Sequence, residues 1–287
     1  MEYKDLVQDV FSNEDRLKFI VSSLRESMTC LGFSEGLINE FLSDLRGLDI
    51  DNFINKHQKE LTRVQLGHFF GELVPRYFSD HVVPEVPVGG KVLDLGCGMG
   101  TLVKIIKNRD LNNLIIGIDI KKAPEWESIV DEAVALKVVG ESNFLSVLEK
   151  ENPDIVTITW VLHHMDFEQQ KRYITSLYKV LKEGAVLIVL EDSYSELLTP
   201  ESGLERYNDF MKWGKEDRQK IQGALDWIAN RIFSMRTTMP VPFAYRTLED
   251  WVSLFKEVGF KVAKVRFLGF PNDRDINTPQ SVLVLKK

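Results

Sequence analysis

Cysteine is scarce in this chain: Cys30 and Cys97 are the only two among 287 residues. Two thiols exclude a disulfide framework and a cysteine-based cluster, and no metal site is expected. Basic charge is also short. Lys and Arg number 36 against 43 Asp and Glu, a net charge of −7, and the pI is near 5.4. A general polyanion binder is usually basic, so extended nucleic acid is not an expected partner. No apolar run approaches the ~20 residues that span a bilayer, and residues 1–5 lack the apolar stretch of a signal peptide. The expectation is a cytoplasmic protein without a membrane span. Internal repeats and low-complexity tracts are missing too. What remains is an ordinary globular composition, 44% hydrophobic and 28% charged, over a length that can bury a substantial core.

The most informative stretch is Val92-Leu93-Asp94-Leu95-Gly96-Cys97-Gly98-Met99-Gly100. An apolar run meets a carboxylate, and three glycines then alternate with other residues. This is the pattern of a buried strand that turns tightly into a helix near Thr101. Glycine suits such a turn because it tolerates positive φ and lets a ligand approach the backbone. A second carboxylate, Asp119, ends the next apolar run 19 residues after Gly100. There an acid can accept hydrogen bonds from ribose hydroxyls. A dinucleotide fingerprint would place its third glycine where Thr101 stands. Asp94 favours instead a ligand carrying positive charge.

Residues 1–84 have helical spacing only, as in Leu37, Ile38, Phe41, Leu42 and Leu45 with Gly47 as a C-cap. Pro84, Pro87, Gly89 and Gly90 mark a hinge. Strands are expected at 92–95, 114–118, 135–139, 155–160 and 186–190, with helices between them, for example over 167–181. Near-continuous apolar runs suit central parallel strands. Residues 193–246 interrupt the alternation with helix, since Ile221, Leu225, Ile228 and Ile232 share one face. A helix at 248–258 and strands at 262–267 and 281–285 follow. The expected architecture is an α/β, Rossmann-like, seven-stranded and mostly parallel sheet with an antiparallel closing strand, flanked by helices. An N-terminal helical cap (1–84) precedes the main domain (85–287), and 193–246 form a helical lid insertion.

The Asp94-x-Gly96-x-Gly98-x-Gly100 turn closely resembles motif I of the class I S-adenosylmethionine-dependent methyltransferases. The segments 154–165, ending in Leu162-His163-His164-Met165, and 181–191 are similar to that family's fourth and fifth strands. The resemblance covers roughly 85–192 and 247–287 and implies S-adenosylmethionine as cofactor. It implies that the backbone of Gly96, Cys97, Gly98 and Gly100 lines the methionine moiety, with Asp94 holding its ammonium through water or backbone. Asp119, with Ile120 beside it, would take the ribose, and Thr159 and Trp160 would complete the methionine pocket. Many members carry an Asp against the adenine amino group after the third strand. This chain departs from that pattern, leaving Glu141 or Asn143 for the task.

The implied reaction is methyl transfer to a small-molecule acceptor by in-line displacement, in which alignment matters more than acid–base help. A protein or peptide acceptor is the alternative, and a non-catalytic binding or regulatory protein is the competing class. His163 and His164 are the candidate bases, since imidazole titrates near ~6.5, and Glu191 could orient an acceptor. From Trp227 to Thr247 there are three arginines, Arg231, Arg236 and Arg246, and no carboxylate. Their planar forks suit an anionic acceptor, with Tyr194 a further substrate candidate. The helical N-terminus either covers the active site of its own chain or forms a homodimer contact.

Overall fold

The computed structural model describes residues 2–110, 112–140, 143–271 and 278–287. The chain divides into two compact units: residues 74–196, 246–267 and 281–287 form one, and residues 1–73, 197–245 and 268–280 form the other. Among the described residues no helix is long and apolar enough to cross a membrane.

The first unit is built on one sheet. Its strands are β1 (Gly90–Leu95), β2 (Asn113–Asp119), β3 (Val134–Val138), β4 (Ile155–Thr159), β5 (Val186–Asp192), β6 (Lys261–Gly269) and β7 (Gln280–Lys286), ordered β3-β2-β1-β4-β5-β7-β6. The pairs β1–β2, β1–β4, β2–β3 and β4–β5 are parallel. β7 runs the other way along β5. Ser281 at its start donates to the carbonyl of Ser193, and Lys287 at its end bonds to Gly184 and Ala185. All seven strands of the sequence reading are present. β4 and most of β5 are buried along their whole length, as expected of strands covered on both faces.

Local chemistry sets the ends of the flanking helices. Helix α8 (Phe167–Val180) starts at a capping box of Asp166 and Gln169, and α11 (Leu248–Val258) at one of Thr247 and Asp250. Each box satisfies two otherwise orphaned N–H groups. Gly259, at φ +121°, stops α11 where an L side chain would be strained. Gly117 in the middle of β2 has a different purpose. A Cβ there would lie 2.4 Å from Leu136 and 3.0 Å from the Cys97 sulfur, so its bareness lets the glycine turn and β3 pack against the strand.

The second unit holds α1 (Tyr3–Asp9), α2 (Glu14–Cys30), α3 (Glu35–Ser43), α4 (Ile50–Val64), α9 (Leu204–Met211) and α10 (Lys215–Ile228). Two π-helical segments extend α4 and α10, at Gln65–Leu73 and Ala229–Phe233. Asn13 caps α2 by accepting from two backbone N–H groups, and the buried Arg16 of α2 pairs with Asp217 of α10. Two expectations need adjusting. α3 ends at Ser43 rather than at a Gly47 cap, because the Asp44 side chain and carbonyl take up the Gly47 N–H in a separate turn. The helical cap expected to reach 84 divides at Val74. Helix α5 (Val74–His81) belongs with the sheet, where Tyr77 and Phe78 pack on Trp160.

Candidate functional site

The site starts at the carboxyl edge of β1. Asp94 is 1% exposed and sits opposite Thr157 in the β1–β4 register, whose hydroxyl donates to its Oδ1 at 2.6 Å. Burial pushes the Asp94 carboxyl up to about 7. The Thr157 hydroxyl opposes the rise and the nearby charge of Asp119 adds to it. An acid in this state is poised to give up its proton when a cation arrives.

Beyond Asp94 the chain turns through Gly96, Gly98 and Gly100 at φ +75°, +54° and +80°. The turn stays attached to the sheet because the N–H groups of Gly96 and Cys97 both donate to the carbonyl of Ile118. Gly100 then forms the N-cap of α6 (Thr101–Arg109). A Cβ on Gly96 would lie 2.6 Å from the Val161 side chain. The bare backbone is therefore a steric requirement of the protein itself as well as an opening for a ligand.

Asp119, the last residue of β2, reaches back to this turn. Its Oδ2 accepts from the Gly98 N–H at 2.8 Å, and its Oδ1 accepts from Lys121 N–H at 3.3 Å. Trp126, 2% exposed, donates its indole N–H to the Gly98 carbonyl at 2.8 Å. Both sides of the Gly98 peptide are thus held. The end of β3 lies alongside, since Val139 donates to the Asp119 carbonyl. Asn143 is exposed just before α7 (Phe144–Glu151), Ile120 is exposed next to Asp119, and Glu141 lies outside the described residues.

The end of β4 forms the facing wall. Thr159 is buried, and Trp160 adopts φ +53°, a conformation that a bulky side chain rarely takes. Its N–H donates to the Leu190 carbonyl, and its ring stacks on Tyr77 at 5.5 Å and packs on Phe78 at 5.2 Å. The turn after it is fixed by one carboxylate. Glu191, wholly buried in β5, accepts from the N–H groups of Val161, Leu162 and His163, and from His163 Nδ1 at 2.6 Å. The His164 ring lies 4.2 Å from that of His163. With Nδ1–H given to Glu191, the lone pair of a neutral His163 falls on Nε2. The two histidines and Glu191 are therefore one assembly, in which Glu191 positions the turn.

The expected substrate residues are less united. Arg246, in the sheet unit, donates to Gln170 at 2.7 Å and to the Phe167 carbonyl, and lies over the Phe167 ring. Arg231 and Arg236, in the helical unit, lie over the rings of Trp227 at 3.8 Å and Phe70 at 5.6 Å. Tyr194 is fully buried, and its carbonyl accepts from the first N–H of α11. The sequence reading missed Thr157, Trp126, Tyr77, Phe78 and Gly117. Only Gly117 left a signal, as an isolated glycine within an apolar strand.

A family model described as "Methyltransferase domain" matches residues 63–265. The chain belongs to this methyltransferase-domain family. No curated protein matches the chain in sequence. Among solved structures, the mitomycin 7-O-methyltransferase MmcR is 12% identical, over 86% of this chain and 62% of its own, with a TM-score of 0.50. PigF, solved with S-adenosylhomocysteine (SAH), is 20% identical over 83% of this chain and 68% of its own, at 0.47. An S-adenosylmethionine-dependent methyltransferase from Archaeoglobus fulgidus is 16% identical over 77% of this chain and 97% of its own, at 0.49. The likeness to MmcR is one of fold. The chain spans about three fifths of the length of several of the structures it matches.

An Asp119→Ala variant is expected to weaken binding of S-adenosylhomocysteine about 10- to 100-fold, since the carboxylate orders the Gly98 N–H and, in the role the family resemblance implies, would also accept from a ribose diol. Unchanged affinity in calorimetry would remove Asp119 from the ribose role.

Proposed function

We propose that the protein transfers a methyl group from S-adenosylmethionine to a small-molecule acceptor by in-line displacement. The observation that carries the reading is the positive-φ turn at Gly96, Gly98 and Gly100, placed at the carboxyl edge of the sheet and tied to Asp119. A ligand with a ribose and a cationic amino-acid end fits these residues: Asp119 for the diol, the bare glycine backbone for the chain, and Asp94 for the cation. When bound, S-adenosylmethionine supplies a methyl carbon already activated by its positive sulfur. The protein's own work is alignment and exclusion of water. Trp160 and the turn fixed by Glu191 form the wall beside that chemistry, and His163, held through Nδ1 by Glu191, is the candidate base for a phenol-like acceptor.

The case for an anionic acceptor rested on three arginines. Arg246 is engaged by Gln170 and Phe167 and Arg231 by the Trp227 carbonyl, so the proposal is for a small molecule without a stated charge.

The raised Asp94 acid gives a signed prediction. Below about pH 7 the carboxyl holds its proton, and binding a cation expels it. Affinity for S-adenosylmethionine should therefore increase from pH 6 to pH 8, by up to about tenfold per unit on the acid side, and Asp94→Asn should flatten the profile. In the ligand-free protein the sign reverses. A raised carboxyl contributes stability that is full below the unfolded value and lost as pH rises through about 7. An equally steep binding profile in Asp94→Asn would refute the assignment.

The activity itself is tested with methyl-labelled S-adenosylmethionine and a panel of phenols and aromatic carboxylic acids. Label in a panel member with stoichiometric S-adenosylhomocysteine supports the reading. Label in added peptides alone would favour the alternative acceptor, and no transfer a non-catalytic role.

A further inference from the structure

The helical unit carries a row of buried polar residues that the methyl-transfer reading does not use. On α10 and the π-helical turn that extends it, Arg218, Gln222, Asp226, Asn230 and Ser234 recur every fourth residue, and all are less than 9% exposed. An α-helix advances by about 400° over four residues, so such a row stays on one broad face. Its lower part is a connected network. Tyr245 OH donates to Asp226 at 2.8 Å, Asn230 donates to Asp226 at 2.7 Å, and Ser234 donates to the Asn230 carbonyl. Gln65, at the start of the other π-helical segment, donates to the Ser234 carbonyl at 2.7 Å.

Gln222 stands one turn above Asp226 and is 0% exposed, yet neither its Nε2 nor its Oε1 has a hydrogen-bond partner among the described residues. A buried primary amide with both ends unsatisfied is costly and rare in native proteins. Three further features mark the same region. One π-helical segment starts at Gln65, which bonds to Ser234 just past the other, and the π-helix is a form that recurs at functional sites. Met235 and Phe243 adopt φ +54° and +60°, strain that must be held by its surroundings. The Phe243 ring also takes the space a Cβ on Gly223 would need, so the loop is seated closely on α10.

We propose that Gln222 is a recognition residue for a small neutral ligand that presents one N–H or O–H donor beside one carbonyl acceptor, as a lactam, imide or carboxamide does. A primary amide pairs with such a group through two parallel hydrogen bonds, which satisfies both orphaned atoms. The Asp226 carboxyl one turn away is an acceptor with two donors already on it, which disfavours an anion at this position. The site belongs to the helical unit alone and does not depend on the methyl-transfer reading.

The test uses the full chain with 2-pyridone as probe and N-methyl-2-pyridone, which lacks the donor, as control. The side-chain amide resonance of Gln222 is identified by its loss in Gln222→Leu. The expected result is a saturable shift of that resonance with 2-pyridone and about tenfold weaker binding of the N-methyl analogue, the loss of one hydrogen bond. Ligand-free Gln222→Leu should melt at or above the wild-type temperature, because it removes unsatisfied groups. A fall of several degrees in that variant would show that Gln222 is satisfied internally, by a buried water or by the protein, and overturns the proposal. So does a 2-pyridone titration that leaves the Gln222 resonance unmoved, or one the N-methyl analogue matches.

Discussion

Replacing Glu191 with alanine is expected to lower stability by about 3–5 kcal/mol, the range for removing one member of a buried charged network. The side chain is fully buried and accepts four hydrogen bonds, three from consecutive backbone N–H groups and one from His163. Alanine leaves those donors without an acceptor in a site closed to water. Glutamine keeps the shape but turns an N–H₂ toward the donors, so its cost is smaller, about 1.5–3 kcal/mol. Urea unfolding of the two variants checks the order, and hydrogen exchange at Val161, Leu162 and His163 shows where the loosening occurs. If Glu191→Ala unfolds with the wild-type midpoint, the carboxylate does not hold the turn. Rescue of stability by glutamine with activity still lost would separate its positioning role from packing.

Gly96→Ala is expected to abolish measurable cofactor binding and to destabilise the protein by about 2–5 kcal/mol. Two costs add. An L residue at φ +75° is strained by about 1–2 kcal/mol, and the new Cβ would stand 2.6 Å from the Val161 side chain, an overpacking worth about 1–3 kcal/mol. Val161 is β-branched and stiff at χ1, so it has little room to rotate away. It also belongs to the turn that Glu191 fixes, which couples the two halves of the wall. Gly89→Ala is the control, because a positive φ there carries strain while a Cβ would meet nothing within 4 Å. A Gly96→Ala protein as stable as Gly89→Ala and still able to bind would contradict the close approach.

The sheet and the glycine turn were legible because their signals are local. Apolar runs of strand length, glycines at fixed offsets and an acid at the end of β2 each have their own physical cause within a few residues. Helix α11 lies where the sequence placed it, at Leu248–Val258, because Thr247, Asp250 and Gly259 are local stops. What escaped depends on residues far apart in sequence. Thr157 meets Asp94 only through strand register, and α5 joins the sheet only through the packing of Tyr77 and Phe78 on Trp160. Arg246 looked like an anion fork until Gln170, 76 residues away, took its Nε–H. On α10 the apolar face of Ile221, Leu225 and Ile228 was visible, while the polar row through Gln222 left no signal of its own. Burial on both sides is a tertiary fact, and spacing alone does not report it.

Calorimetric titration of the purified chain decides whether the turn at Gly96–Gly100 and Asp119 hold S-adenosylmethionine. Saturable one-site binding of S-adenosylmethionine and S-adenosylhomocysteine is expected, on the order of micromolar strength, with at least tenfold loss in Asp119→Ala. Titrations that give no heat with either compound at several temperatures, or equal affinity in wild type and Asp119→Ala, would contradict it.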